Sequence, residues 1–205
     1  LAALSSLFGY LSDVNAVPNN PVDGVKRPKV DTYEGKTPTI SDVQARELLT
    51  APEQGPEGLK VLRDKAMLST LLFHALRREE LCLLKVGDIE ERRGVKHLKV
   101  SGKGGKTRYL PLNPGSATLI FDYLAVSGHG ENKSLPLFRR LGERSDVATE
   151  KHMSTDALYK IVRQYSGMLG FPIGVHSLRA TAATNALDHD ADIKKVQEWL
   201  GHANI

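Results

Sequence analysis

The chain has 205 residues, 40% of them hydrophobic and 25% charged, with 28 Lys and Arg against 24 Asp and Glu for a formal net charge of +4. This composition excludes a disordered or fibrous chain, and no stretch approaches the roughly 20 apolar residues of a membrane span. The lone Cys82 excludes a disulfide framework or a multi-thiolate metal site, and the apolar opening LAALSSLFGYL has no basic leader, so a cytosolic-type chain is expected.

Leu1, Leu4, Leu7, Phe8, Leu11 and Val14 recur at three- and four-residue intervals, which predicts one apolar face of a helix. The VPNNP run ends it, because proline lacks an amide donor and disfavours helix in the residue before it. From Pro18 to about Thr39 the chain is rich in Pro, Gly, Asn and Lys, a predicted linker. Ser41 followed by Gln44 fits a capping box and starts a short helix over 42–50. Helices are predicted over 58–74 and 78–84. A β-hairpin follows, VKHLKVSG and TRYLPL flanking a GKGGK turn between 95 and 112. Further helices are predicted over 114–127, 155–169 after Ser154, 177–188, and 193–200 stopped by Gly201. The fold class is mainly α with a small antiparallel hairpin or sheet, an α+β body.

Charge is unevenly spread. Residues 60–109 hold 13 basic and 6 acidic side chains, a local excess of +7, while the remaining chain is slightly acidic. One basic stretch on an otherwise neutral chain suits a face that meets phosphate.

Four segments hold basic residues that packing does not explain easily. In Ala75-Leu76-Arg77-Arg78-Glu79-Glu80-Leu81, Glu80 stands three residues after Arg77, a spacing that lets the carboxylate orient a guanidinium as a bidentate phosphate ligand. In Ser101-Gly102-Lys103-Gly104-Gly105-Lys106-Thr107-Arg108, lysines stand on a glycine-rich tip. A nucleotide-binding P-loop is excluded there, since Val100 occupies the place of its first glycine and a strand follows where a helix is needed. In Gly174-Val175-His176-Ser177-Leu178-Arg179, His176 and Arg179 share one face of a helix start, where free amides and the helix dipole favour an anion. The fourth is Leu200-Gly201-His202. No metal site is expected, because HExxH is absent and these histidines have no carboxylate at ligand spacing.

Taken in order, Arg77 with Glu80 in ALRREEL, Lys103 in SGKGGKTRYLPL, His176 and Arg179 in HSLR, and His202 in LGHANI resemble the catalytic domain of tyrosine recombinases, the phage integrase and Xer-like family. The interval of 26 between His176 and His202 also fits that family. The resemblance covers the whole chain: residues 1–30 look like the last helix of an incomplete core-binding domain plus linker, and 31–205 like the catalytic domain without its C-terminal nucleophile segment.

The resemblance implies site-specific recombination or integration of double-stranded DNA by phosphoryl transfer through a 3′-phosphotyrosyl intermediate, with no metal and no cofactor. Arg77 and Arg179 would clamp the transition-state charge. Lys103 would protonate the leaving 5′-oxygen, His176 would move a proton at the tyrosine, His202 would bond the scissile phosphate, and Glu80 would support the site. Arg78, Lys106 and Arg108 are expected DNA contacts. The family's nucleophile follows its LGH histidine by about nine residues, whereas this sequence ends at Ile205 and its six tyrosines all precede His176. The chain as given is therefore expected to be inactive. It is expected to be a monomer as a fragment and a tetramer on DNA at full length, in the bacterial cytoplasm or nucleoid. The alternatives are a non-catalytic DNA-binding integrase relative and a type IB topoisomerase-like enzyme.

Overall fold

The computed structural model describes residues 2–25, 37–102, 105–142 and 148–201. The chain divides into two compact units, Leu1–Lys36 and Thr37–Ile205. In the first, α1 (Ala2–Asp13) is followed by turns, and the Asn20 side chain donates to Ser5 O at 3.0 Å. Leu4, Leu7, Tyr10 and Val14 of this unit are exposed. Residues 26–36 of the predicted linker lie outside the described residues.

The second unit is mainly helical with two small antiparallel sheets. It runs α2 (Asp42–Thr50), α3 (Leu59–His74), α4 (Arg78–Leu83), β1 (Ile89–Arg92), β2 (Val95–Ser101), β3 (Thr107–Pro111), α5 (Pro114–Ser127), β4 (Arg139–Leu141), β5 (Ala148–His152), α6 (Thr155–Met168), α7 (Val175–Asp188) and α8 (Ile193–Leu200). α2 starts as its sequence dictates: Ser41 Oγ accepts the Gln44 amide and the Gln44 side chain accepts the Ser41 amide. α3 is the central helix. Ala66, Met67, Leu68 and Leu71 are fully buried, and α2, α5 and α7 pack around it.

Burying α3 on nearly all sides brings polar groups inside, and they are paired. Asp64, with no exposed surface, accepts from Arg63 Nε and Nη2, from Lys60 Nζ and from the Tyr165 hydroxyl of α6. His74, also buried, lies with Nδ1 3.2 Å from Thr70 O and accepts the Asn113 amide on Nε2 at 3.1 Å. Such groups are tolerated in the core only because each is hydrogen-bonded.

The predicted hairpin is present as β2 and β3, with Leu98 opposite Leu110 and Val100 opposite Arg108. The structure adds β1, which pairs with β2 through a two-residue turn in which Arg93 and Gly94 both have positive φ. Its sequence IEER has no apolar alternation, since an edge strand with two polar flanks packs only Ile89 against the core. β4 and β5 form a second two-stranded sheet. α7 begins at Val175, two residues before the predicted start. Its N-cap is Gly174, which makes no side-chain cap, and Val175 turns into the core.

Candidate active site

The site is built where α3 stops. Ala75 closes that helix in the left-handed region, with φ 51° and ψ 34° and its N–H on Leu71 O. This turn redirects the chain so that Arg77 becomes the extended N-cap of α4. Glu80, at the third position of α4, accepts the Arg77 amide on Oε2 and Arg77 Nη1 on Oε1, both at 2.8 Å. The i,i+3 spacing is thus a real contact, half of a capping box with a guanidinium added.

Glu80 also accepts two parallel bonds from β3. Arg108 Nη1 donates to Oε1 at 2.9 Å and Nη2 to Oε2 at 2.7 Å. Burial pushes the Glu80 carboxyl up, but the bonds from Arg108 and Arg77 outweigh this and hold it at about 2. It is ionised at neutral pH.

α7 supplies the next pair. His176 is exposed, whereas Arg179 is only 6% exposed. Arg179 Nη1 donates to Ala75 O and Nη2 to Leu200 O, each at 2.5 Å. Burial lowers the Arg179 guanidinium to about 10; the Arg77 charge adds to this, Glu80 opposes it, and Arg108 contributes further lowering. It stays protonated at neutral pH in a setting short of negative charge.

The end of α8 completes the arrangement. Trp199 O accepts Arg108 Nε at 3.0 Å, Leu200 O accepts Arg179, and Gly201 O lies 3.5 Å from Arg77 Nη2. Three successive carbonyls at the helix end, where the ladder runs out of donors, thus each face an arginine. They form the negative end of the helix dipole, so the cations are well placed.

Arg77, Arg78, Glu79, Tyr159, His176 and Arg179 line a cavity of about 350 Å³ over Leu76 and Val175. Three guanidiniums against one carboxylate make it an anion site. Larger clefts of about 430 and 830 Å³ both include Trp199, but they are lined mainly by apolar residues such as Phe73 and Ala186 and have no comparable convergence of cations.

Among the predicted site residues, Arg77, His176 and Arg179 meet in this cavity with Glu80 behind Arg77, and Arg78 joins its wall. Lys106 is exposed beside the hairpin turn. Arg108, expected as a DNA contact, is instead turned inward, its side chain 14% exposed. Lys103 and His202 lie outside the described residues. Sequence reasoning missed Tyr159 of α6, whose ring would lie 3.2 Å from a Cβ at Gly174 and so packs directly on the α7 N-cap. It also missed the direction of Arg108, for which a signal existed: Arg108 and Leu110 alternate onto one face of β3, and Leu110 is buried.

The phage integrase family profile matches residues 39–205. The chain is 34% identical to tyrosine recombinase XerC of Herpetosiphon aurantiacus, with all of this chain and 64% of that protein aligned. It is 32% identical to tyrosine recombinase XerD of Listeria innocua, with all of this chain and 67% of that protein aligned. The chain therefore spans about two thirds of the length of such relatives. Among solved structures, XerH recombinase in a post-cleavage complex with a palindromic difH substrate has a TM-score of 0.75 at 21% identity, covering 99% of this chain and 59% of that one. A lambda integrase dimer bound to a COC′ core site has a TM-score of 0.69 at 17% identity, covering 99% of this chain and 70% of that one. These two likenesses are of fold.

Proposed function

The chain belongs to the phage integrase family, and from that membership we propose that it provides the charge-stabilising part of a site-specific DNA recombinase active site. The single observation that supports this most is the meeting of Arg77 and Arg179, from separate helices, in one cavity with His176 at hand. In the proposed reaction a tyrosine hydroxyl attacks a DNA phosphodiester, forming the 3′-phosphotyrosyl bond and releasing a 5′-hydroxyl. Negative charge grows on the nonbridging oxygens, and two fixed guanidiniums are suited to stabilise it without reorganising.

His176, exposed in the cavity, is assigned proton transfer at the attacking hydroxyl. Lys103 is assigned the proton for the leaving oxygen, and His202 a hydrogen bond to the scissile phosphate. Arg78 and Lys106, both exposed, are assigned to the DNA backbone. The proposed partner is duplex DNA, with assembly as a tetramer on it and a monomer off it, in the bacterial cytoplasm. The family pattern puts the nucleophile near position 211, about nine residues beyond His202.

The test is covalent trapping on a nicked suicide substrate bearing the cognate site. The 205-residue chain is expected to give no adduct. A chain continued through a tyrosine near position 211, with the upstream domain present, is expected to give one in EDTA, and Arg179→Ala is expected to abolish it. An adduct that needs a divalent metal, or one formed equally by the 205-residue chain, refutes the reading.

A further inference from the structure

We infer that Arg108 is a positioning residue of this site: by bridging Glu80 and the end of α8 it fixes Arg77 relative to that helix end, and it does not itself contact DNA. The inference rests on the recombinase reading above and assigns a role within that site.

Arg108 stands on the core-facing side of β3, opposite the buried Val100. Its fork is spent on protein: two parallel bonds to the two Glu80 oxygens, and Nε on Trp199 O at 3.0 Å. The same Glu80 carboxylate takes the Arg77 amide and guanidinium, so a shift of Arg108 is passed to Arg77 through one planar group. One glycine makes room for this bridge: a Cβ at Gly201 would lie 3.2 Å from Arg108 Nη1. Arg108 thereby joins three segments: the strand that follows Lys103 in the chain, the helix start at Arg77, and the helix end just before His202.

A lysine at 108 keeps the charge but loses the fork, so it cannot bond both Glu80 oxygens and Trp199 O together. This separates the bridge from a simple cationic contact. A phosphate contact is worth about one unit of the slope of log K against log salt, whereas a positioning residue acts without displacing counterions.

The experiment measures duplex DNA binding against NaCl for the 205-residue chain, Arg108→Lys, Arg108→Ala and Lys106→Ala. The Glu80 carboxyl and Arg77 side-chain resonances are followed by NMR in the same variants. Arg108→Lys is expected to bind about tenfold more weakly, the scale of one charged hydrogen bond, with the salt slope unchanged. Its Arg77 resonances should move and its Glu80 titration should rise. Lys106→Ala should instead lower the slope by about one and leave both resonances in place. Arg108→Lys with parental affinity, or Arg108→Ala with the lowered slope and unmoved Arg77 and Glu80 signals, overturns the inference. Should Arg108→Ala fail to fold, the lysine variant still decides. If the parent chain shows no salt-dependent DNA binding, the recombinase reading falls, while the NMR comparison still decides whether Arg108 positions Arg77.

Discussion

The carbonyl that Arg179 grips with Nη1 belongs to Ala75, an alanine held in the left-handed conformation that closes α3. That backbone state costs an L-residue about 1–2 kcal/mol. It is retained where it turns the chain toward Arg77 and aims a carbonyl at Arg179. Ala75 itself is fully buried beside Ala182, Val196 and Leu200.

Ala75→Gly relieves the backbone and loses one buried methyl, worth about 0.8 kcal/mol. Stability is expected to change by less than about 1 kcal/mol. Ala75→Val adds a β-branched side chain in a forbidden region and overfills a packed cluster, so a loss of about 2–4 kcal/mol is expected. Urea unfolding of both variants checks this, and a well-tolerated valine would contradict the account.

Acid should lower stability in two successive pH ranges. His74 is buried and its protonation is disfavoured, its pKa lowered from 6.5 to about 4 chiefly by burial. The unfolded chain therefore binds more protons between those values, and stability drops as pH falls from 6.5 toward 4, by up to about 3 kcal/mol. Glu80, held at about 2 against an ordinary 4.5, removes further stability as pH falls from 4.5 toward 2. Unfolding free energies at pH 7, 5.5 and 4.5 measure the loss across the first range. His74→Gln, which keeps a donor and an acceptor but does not titrate, should flatten it.

Replacing the fully buried Asp64 by Asn leaves Arg63 and Lys60 facing a neutral group in the core. A loss of about 3–5 kcal/mol is expected, as for one partner removed from a buried ion pair. Thermal unfolding reads it directly. A change under about 1 kcal/mol would mean that the cluster is open to water.

Arg78 is exposed on the wall of the arginine-lined cavity. Arg78→Ala should leave stability within about 0.5 kcal/mol of the parent. It should lower the DNA salt slope by about one. An unchanged slope would remove Arg78 from the DNA face.

Much of this was legible in the sequence because it is local. Ser41 and Gln44 cap α2, Gly201 ends α8 in the left-handed region, and the apolar spacing from Leu59 to Leu72 made α3. Arg77 with Glu80, and His176 with Arg179, were visible as helical neighbours. What was not legible depends on contacts far apart in the chain. Nothing near Arg108 in sequence announces Glu80 or Trp199, and nothing near Tyr159 announces Gly174. The start of α7 was missed by two residues because Gly174 offers no capping side chain to mark it. β1 and β4 are short polar strands whose pairing is decided by their neighbours rather than by their own residues.

The arginines address α8 through its main chain, and every amino acid carries the same carbonyl. Positions 199 and 200 are therefore free to drift in side chain, within the demands of packing, while presenting unchanged acceptors to Arg108 and Arg179. Position 201 has less freedom, because its φ of 66° and the Arg108 guanidinium 3.2 Å from any added Cβ both disfavour a side chain. Sequence variation across this helix end should thus be lopsided: a library randomised at 199–201 and sorted for folded protein should return several different apolar residues at the first two positions, where packing sets the only demand, and glycine predominantly at the third.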